Sequence, residues 1–236
     1  MPRRRFYKEV VVAAPDAEHT GYRILLDGKP VKTPNRATLA VPSNGLAQAI
    51  AGEWRAQEGV IRPETMILTK LANTAIDRVA PNPARAREQI LVLARSDVVC
   101  YRAETPSDLI EREQQAWDPV LAWLNERFGA SLRPASGIGF VAQDEAAIGS
   151  LHSALLHRDA FFISALYAAA ALLGSVVLAL ALSENELDSE EAFARANLDK
   201  IYQAERWGWD EQDKAKTAAE RSELRQISRF LELLSQ

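Results

Sequence analysis

A run without any charged side chain occupies residues 160–183. A membrane-spanning helix needs about 20 apolar residues, so the length of the run permits one. However, much of the run is alanine, which is weakly apolar, and Gly174-Ser175 lies in its middle. Glycine can end one helix and serine can cap the next. The pattern therefore predicts two consecutive buried helices, at residues 158–173 and 175–182, and no membrane insertion.

A helix that is apolar on all sides must be surrounded by other helices. The segments that follow Thr105-Pro106-Ser107 supply them, because their apolar residues recur at helical spacing up to the end of the chain. Pro119 is expected to begin a new helix or to kink the one it interrupts. The sequence thus predicts an all-helical C-terminal domain, residues 105–236, around a buried central helix pair.

The first part of the chain has the pattern of short strands. Residues 6–12, 22–26, 29–33 and 38–41 are rich in apolar and β-branched side chains, and Asp27-Gly28 is a strong hairpin signal. Leu46, Ile50 and Trp54 then recur at a spacing of four, which indicates a helix that covers the sheet. Two further helices are predicted near residues 68–79 and 83–95, and a strand at 97–101 that could join the first sheet. The fold class is α+β, with residues 1–104 as an N-terminal domain of a small antiparallel sheet with helices.

Composition and charge exclude several classes of protein. A net charge of −4 and a pI near 5.6 argue against a dedicated nucleic-acid binder. Cys100 is the only cysteine, so an intrachain disulfide framework is excluded and a reducing compartment fits. The N-terminal residues lack an apolar signal-peptide segment, which favours a cytoplasmic bacterial protein, or a mitochondrial matrix protein if the chain is organellar.

No catalytic constellation is evident in the sequence. His19 falls in a polar loop, and His152 and His157 are five residues apart, on different faces of a helix. Cys100 is expected to be a small buried residue. We therefore expect no enzyme activity, no metal and no cofactor. An alternative stays open, a soluble small-molecule enzyme with a site between the two domains, to which distant residues such as Asp97, Asp118 and Glu205 would contribute.

Aromatic and charged residues cluster at positions 202–211, around Trp207-Gly208-Trp209. One interpretation is that Trp207 docks into the core and the charged residues are solvated. The other is a protein-binding edge, because Trp, Tyr and Arg are the residues that anchor interfaces.

Several segments together resemble one family, the ATP synthase assembly chaperones that bind the free alpha subunit of the enzyme's catalytic head. The segments are Leu26-Asp27-Gly28-Lys29-Pro30-Val31-Lys32-Thr33-Pro34, Glu53-Trp54 with Gln57, Leu71-Ala72-Asn73-Thr74-Ala75-Ile76-Asp77, Asp97 with Cys100-Tyr101-Arg102, Trp117-Asp118-Pro119, Gly174-Ser175 with the apolar residues after it, and Gln203, Glu205, Trp207-Gly208 and Asp210. They occur in order over nearly the whole chain.

The resemblance implies a molecular chaperone, monomeric when free, that binds the ATP synthase alpha subunit without cofactor or catalysis. The expected partner-binding residues are Glu53, Trp54, Asp97, Tyr101, Trp117, Asp118, Glu205, Trp207 and Asp210. One position departs from the family pattern, because Lys200 follows Asp199 where the family often has an acidic residue. A negative contact to the partner at that position is therefore not expected.

Overall fold

The computed structural model describes residues 4–18, 20–137 and 139–234. The strands are β1 (Val10–Ala13), β2 (Tyr22–Leu26), β3 (Lys29–Pro30), β4 (Ala40–Val41), β5 (Tyr101–Arg102) and β6 (Ala135–Ser136). The helices are α1 (Asn44–Arg55), α2 (Ile67–Thr74), α3 (Pro83–Ala94), α4 (Ser107–Phe128), α5 (Glu145–Leu155), α6 (Ala160–Leu173), α7 (Val176–Ser183), α8 (Ser189–Ala196), α9 (Leu198–Trp207) and α10 (Glu211–Leu234). The predicted α+β class is confirmed.

The N-terminal sheet is antiparallel, in the order β1-β2-β3, and β4 also pairs with β2. Asp27 and Gly28 form the predicted two-residue hairpin between β2 and β3, with φ angles of 47° and 76°. Two consecutive positive φ angles define the hairpin turn whose twist matches the flanking strands. The register places Ile24 and Leu26 on the buried face of β2.

The chain forms two compact units, each discontinuous in sequence. The first contains the residues up to Pro83, Asp159–Ala165 and the residues from Arg229 onwards. The second contains Ala84–Arg158 and Leu166–Ser228. The domain boundary after residue 104 stays a prediction.

In the first unit, α1 packs against β1, β2 and β4. Leu46 and Ile50 of the predicted stripe are buried, and its third residue, Trp54, is half-buried. The hydroxyl of Ser43 caps its first turn by accepting a hydrogen bond from the N–H of Leu46 at 3.1 Å. Helix α2 continues into a π-helical turn at Ala75–Val79.

In the second unit, α7 is buried at every position from Val176 to Leu182 and contacts α4 and α8. The predicted junction is confirmed, because Gly174 has a φ of +63° and Ser175 caps α7 through the N–H of Leu178. Helix α6 ends just before this junction. None of the helices in the described residues is long and apolar enough to cross a membrane.

One prediction about local structure is wrong. Residues Val98–Cys100 form a 3-10 turn, and β5, which follows, pairs in parallel with β6 and not with the first sheet. Pro119 lies inside a continuous α4, so it does not begin a new helix, and the alternative of a kink in α4 stays a prediction. Asp188 caps α8, in a capping box with Glu191.

Candidate partner-binding surface

The connection between α9 and α10 presents a large aromatic side chain to solvent. Trp207, the last residue of α9, is 78% exposed. Gly208, with a φ of +85°, then turns the chain, and Asp210 caps α10 by accepting hydrogen bonds from the N–H groups of Gln212 at 2.8 Å and Asp213 at 3.3 Å. We refer to residues 205–211 as the Trp207 turn. An exposed tryptophan on a capped turn is typical of an interface anchor.

Helix α4 makes several side-chain contacts with α9, the helix that leads into the Trp207 turn. The carboxylate of Asp108 accepts a hydrogen bond from the hydroxyl of Tyr202 at 2.8 Å and forms an ion pair with Arg206. One turn further along α4, Arg112 pairs with Glu205 at 2.7 Å. The guanidinium groups of Arg206 and Arg112 lie 4.1 and 5.3 Å from the ring centroid of Tyr202. These contacts restrict the rotation of α9 against α4.

The charges in this cluster reinforce one another. The hydrogen bonds from Tyr202 and Arg206 lower the pKa of the Asp108 carboxyl group. Burial and the adjacent Asp108 raise the pKa of Tyr202, and the hydrogen bond to Asp108 raises the pKa of Arg206. At neutral pH Asp108 is therefore anionic, Tyr202 neutral and Arg206 cationic, which is the combination that the hydrogen bonds require.

Lys200, the position that departs from the family pattern, lies beside the same turn. Its ammonium group is 3.9 Å from the carboxylate of Asp213 and 5.9 Å from the ring centroid of Trp209. The lysine thus makes its contacts within the chain, to the start of α10.

The predicted residues around α4 divide into buried and exposed ones. The ring of Trp117 is buried, and its indole N–H donates to the carbonyl oxygen of Arg195 at 2.9 Å. Asp118 is exposed and pairs with Arg102 at 2.7 Å. Tyr101 is half-buried in β5. Only Asp118 of the Trp117-Asp118 pair therefore offers side-chain surface to a partner.

Asp97 is completely buried and caps a helix that begins far away in the sequence. Its Oδ2 atom accepts hydrogen bonds from the N–H groups of Val176 at 2.7 Å and Val177 at 3.0 Å, at the start of α7. Burial raises the pKa of this carboxyl group to about 6, although the hydrogen bonds from Ser175 and the backbone oppose the shift. With no exposed surface, Asp97 can affect partner binding only through the position of α7.

Glu53 has the same role in the first unit. Its carboxylate accepts hydrogen bonds from the N–H groups of Leu68 at 2.7 Å and Thr69 at 2.8 Å, and from the hydroxyl of Thr69 at 2.7 Å. The residue at the N-cap of α2, Met66, provides no side-chain cap, so Glu53 substitutes for one. Burial raises the pKa of Glu53. Its neighbour Trp54 is half-buried and packs edge-on against Tyr7.

The structure thus brings Glu205, Trp207 and Asp210 together on one exposed turn, whereas Glu53, Asp97 and Trp117 point inward. Sequence reasoning missed Asp108 and Arg112, which position this turn. Opposite charges four residues apart on a helix were the available signal, although that spacing more often marks a solvated helix face.

The described residues contain no group of three His, Cys, Asp or Glu side chains that could hold a metal ion. Cys100 is buried as predicted, and burial raises the pKa of its thiol to about 12, so the thiol is a poor nucleophile. The predicted loop position of His19 lies outside the described residues.

Comparisons with known proteins agree on one family. A family model described as ATP12 chaperone protein matches residues 4–125. The mitochondrial protein atp12 of Schizosaccharomyces pombe is 26% identical over 217 residues, which cover 87% of this chain and 74% of the yeast protein.

Two solved bacterial structures have nearly the same fold. The crystal structure of Atp12 from Paracoccus denitrificans superposes with a TM-score of 0.90 at 34% identity and covers 98% of both chains. The Atu1473 protein of Agrobacterium tumefaciens gives a TM-score of 0.92 at 40% identity and covers 98% of this chain and 86% of its own.

Proposed function

We propose that this chain, which belongs to the ATP12 chaperone protein family, binds the unassembled alpha subunit of ATP synthase. The family assists the assembly of this enzyme. A free alpha subunit exposes apolar surface that later packs against beta subunits, and such patches aggregate. The chaperone shields that surface until the correct partner displaces it, and it does so without catalysis or cofactor.

The observation that supports the proposed site is the exposure of Trp207 on a turn that directly follows a helix paired with α4. Exposing a tryptophan to water is unfavourable, and its burial against a partner provides a large apolar contact. Glu205 and Asp210 flank the aromatic side chain on the same turn. An apolar anchor with a charged rim is the composition of an interface that forms and dissociates.

Reversible binding follows from this composition. Charged groups at a rim accelerate association and add little to affinity, so the complex is not held permanently. A beta subunit, which offers the alpha subunit a larger apolar interface, then replaces the chaperone. We further propose that the chain is a monomer before it binds.

We propose the compartment from the sources of the relatives. The relatives include a mitochondrial protein of a yeast and a protein from Paracoccus denitrificans. We propose the cytoplasm if the chain is bacterial, and the mitochondrial matrix if it is organellar.

The test is a pair of alanine variants with matched exposure. Trp207→Ala is expected to weaken binding of the purified alpha subunit at least tenfold, because a buried anchor of this size contributes about 2 kcal/mol or more. Phe140→Ala is the control, since Phe140 is 72% exposed and lies outside the Trp207 turn. Binding would be measured by biolayer interferometry. Equal affinity of Trp207→Ala and the unmodified chain would contradict the proposed site.

A further inference from the structure

The first unit contains a groove beside Trp54. Two adjoining hollows, of about 1010 and 700 Å³, share Lys32, Trp54, Ile61 and Pro63 in their walls. We call them together the Trp54 groove. Two of the segments that carry the family resemblance, the Asp27-to-Pro34 hairpin segment and the Asn73-to-Asp77 segment, contribute to its walls. Partner binding by the Trp207 turn does not explain a role for these two segments.

The groove is basic, although the protein as a whole carries a net charge of −4. Lys29 and Arg62 line the first hollow, Lys70 and Arg78 line the second, and Lys32 lines both. The hollows are of the size that holds a compact organic ligand or a few residues of a peptide. A basic groove on an acidic protein attracts anionic groups and repels cationic ones.

Two of the acidic residues in the walls are engaged with the protein itself. The carboxylate of Asp27 accepts hydrogen bonds from the N–H groups of Lys8 at 3.0 Å and Glu9 at 2.8 Å. The carboxylate of Asp77 accepts them from the hydroxyl of Thr33 at 2.6 Å and the N–H of Asn35 at 2.9 Å. These acids hold the hairpin in place. Glu64 is the third acidic residue of the walls, and Lys32 donates a hydrogen bond to the hydroxyl of Thr38 at 2.8 Å. The five basic residues still outnumber the three acidic ones, so the balance of charge in the groove is positive.

The groove also offers apolar surface and unsatisfied polar atoms. Trp54, Ile61 and Pro63 line both hollows. The indole N–H of Trp54 and the Oδ1 atom of Asn73 have no hydrogen-bond partner. Both atoms are buried in the groove wall, so a bound peptide backbone would reach them only if these side chains moved.

We infer that the Trp54 groove binds an acidic, extended segment of the client protein, with client carboxylates on Lys32, Arg62 and Arg78 and apolar side chains against Trp54 and Ile61. The identity of the client rests on the proposed function, whereas the preference for an acidic chain rests on the groove alone. The groove would give the chaperone a second contact, on a unit separate from that of the Trp207 turn.

The first experiment measures the preference of the groove directly. A fluorescein-labelled peptide of alternating Glu and Leu, a pattern typical of extended chains, is titrated with the full chain and followed by fluorescence anisotropy. A peptide of alternating Lys and Leu is the comparison. We expect the acidic peptide to bind at least tenfold more tightly, and to lose affinity as the salt concentration rises. Equal binding of the two peptides would overturn the inference.

A double charge reversal then locates the binding. The double variant Arg62→Glu/Arg78→Glu is expected to bind the acidic peptide at least tenfold more weakly than the unmodified chain does. Lys214→Glu with Lys216→Glu makes the same change in net charge on α10, where both lysines are exposed, and should leave the affinity unchanged. Thermal melts confirm that both variants are folded. If both double variants lose affinity for the acidic peptide, or if neither does, the peptide binds outside the Trp54 groove and the inference is overturned.

The purified alpha subunit separates this inference from the proposed function. If the unmodified chain binds no alpha subunit, the proposed client is wrong, and the peptide results still decide the chemistry of the groove. If the alpha subunit binds the unmodified chain and the Arg62→Glu/Arg78→Glu variant equally well, the client does not use the groove, and the inference is overturned.

Discussion

Two carboxylates act as caps for helices that begin elsewhere in the chain. Glu53 caps α2 and Asp97 caps α7, the latter across 79 positions of sequence. Both lie in segments that carry the family resemblance, which is why they were predicted as partner-binding residues. The sequence could identify the segments but not the capping roles of Glu53 and Asp97. The carboxylates accept hydrogen bonds from backbone N–H groups, which every residue except proline carries, so the residue types do not indicate the pairing.

The raised pKa of Asp97 predicts a pH dependence of stability. Because the folded pKa, about 6, exceeds the usual value of 3.8, the folded state binds a proton more tightly, and this group's contribution to stability falls as pH rises between the two values. Between about pH 4.5 and pH 7 the loss is about 2 kcal/mol. Urea unfolding of the unmodified chain and of Asp97→Asn isolates the effect, since other groups cancel in the difference.

The asparagine variant cannot titrate, so its deficit in unfolding free energy relative to the unmodified chain should shrink as pH rises through this range. A deficit that stays constant or grows would show that the folded pKa of Asp97 is not raised.

At the scale of elements, the junction between α6 and α7 was predictable from sequence, and the turn at Val98–Cys100 was not. Gly174-Ser175 carries the signals of a helix end and a helix cap in consecutive residues. The β-branched residues Val98 and Val99 favour a strand by local propensity, but their segment places Asp97 at the N-terminus of α7, which it caps. The N–H of Val98 donates to the carbonyl oxygen of Gly174 at 3.0 Å, a tertiary contact that overrides the propensity.

Alanine substitutions at two glycines, Gly174 at the junction and Gly149 within α5, are expected to have effects of opposite sign on stability. A Cβ atom at Gly174 would lie 3.9 Å from Val98, which is ordinary contact, so any cost comes from its φ of +63° and not from crowding. Gly174→Ala should lower the unfolding free energy by about 1 kcal/mol. Gly149→Ala, within α5 and with open space around its Cβ, should raise it by about 0.5–1 kcal/mol. Chemical denaturation measures both, and the same sign at both sites would contradict this account.

Exchanging the charges of the ion pair between α4 and α9 tests whether Glu205 positions α9 or contacts the partner directly. Glu205→Lys should weaken binding of the alpha subunit several-fold and change stability by less than about 1 kcal/mol, as for other exposed pairs. Adding Arg112→Glu restores the pair with its charges exchanged. If the partner contacts the negative charge of Glu205, binding stays weak in the double variant.

Recovery of full affinity in the double variant would instead assign Glu205 a role in holding α9. Failure of the single variant to fold would show that the pair is structural. Calorimetric titration with the alpha subunit, together with a thermal melt of each variant, separates these outcomes.

At the scale of the whole molecule, the α+β class and most helices followed from periodicity, whereas the discontinuous composition of the two compact units was not predicted. The first unit recruits Asp159–Ala165 and the residues from Arg229 onwards. Local patterns carry no information about such long-range packing, which depends on which apolar faces meet. The cluster of aromatic and charged residues around Trp207 was evident from the sequence, whereas its support by Asp108 and Arg112 depends on tertiary contacts.

The central claim, that this chain protects a free alpha subunit, is tested most directly by light scattering. Purified alpha subunit is diluted from denaturant, without nucleotide, into buffer that contains the chain or an equal amount of serum albumin. The account predicts that the chain suppresses scattering at about equimolar ratio, and that the two proteins co-elute in size-exclusion chromatography. Aggregation that proceeds as it does with albumin, with no co-eluting complex, would contradict the claim.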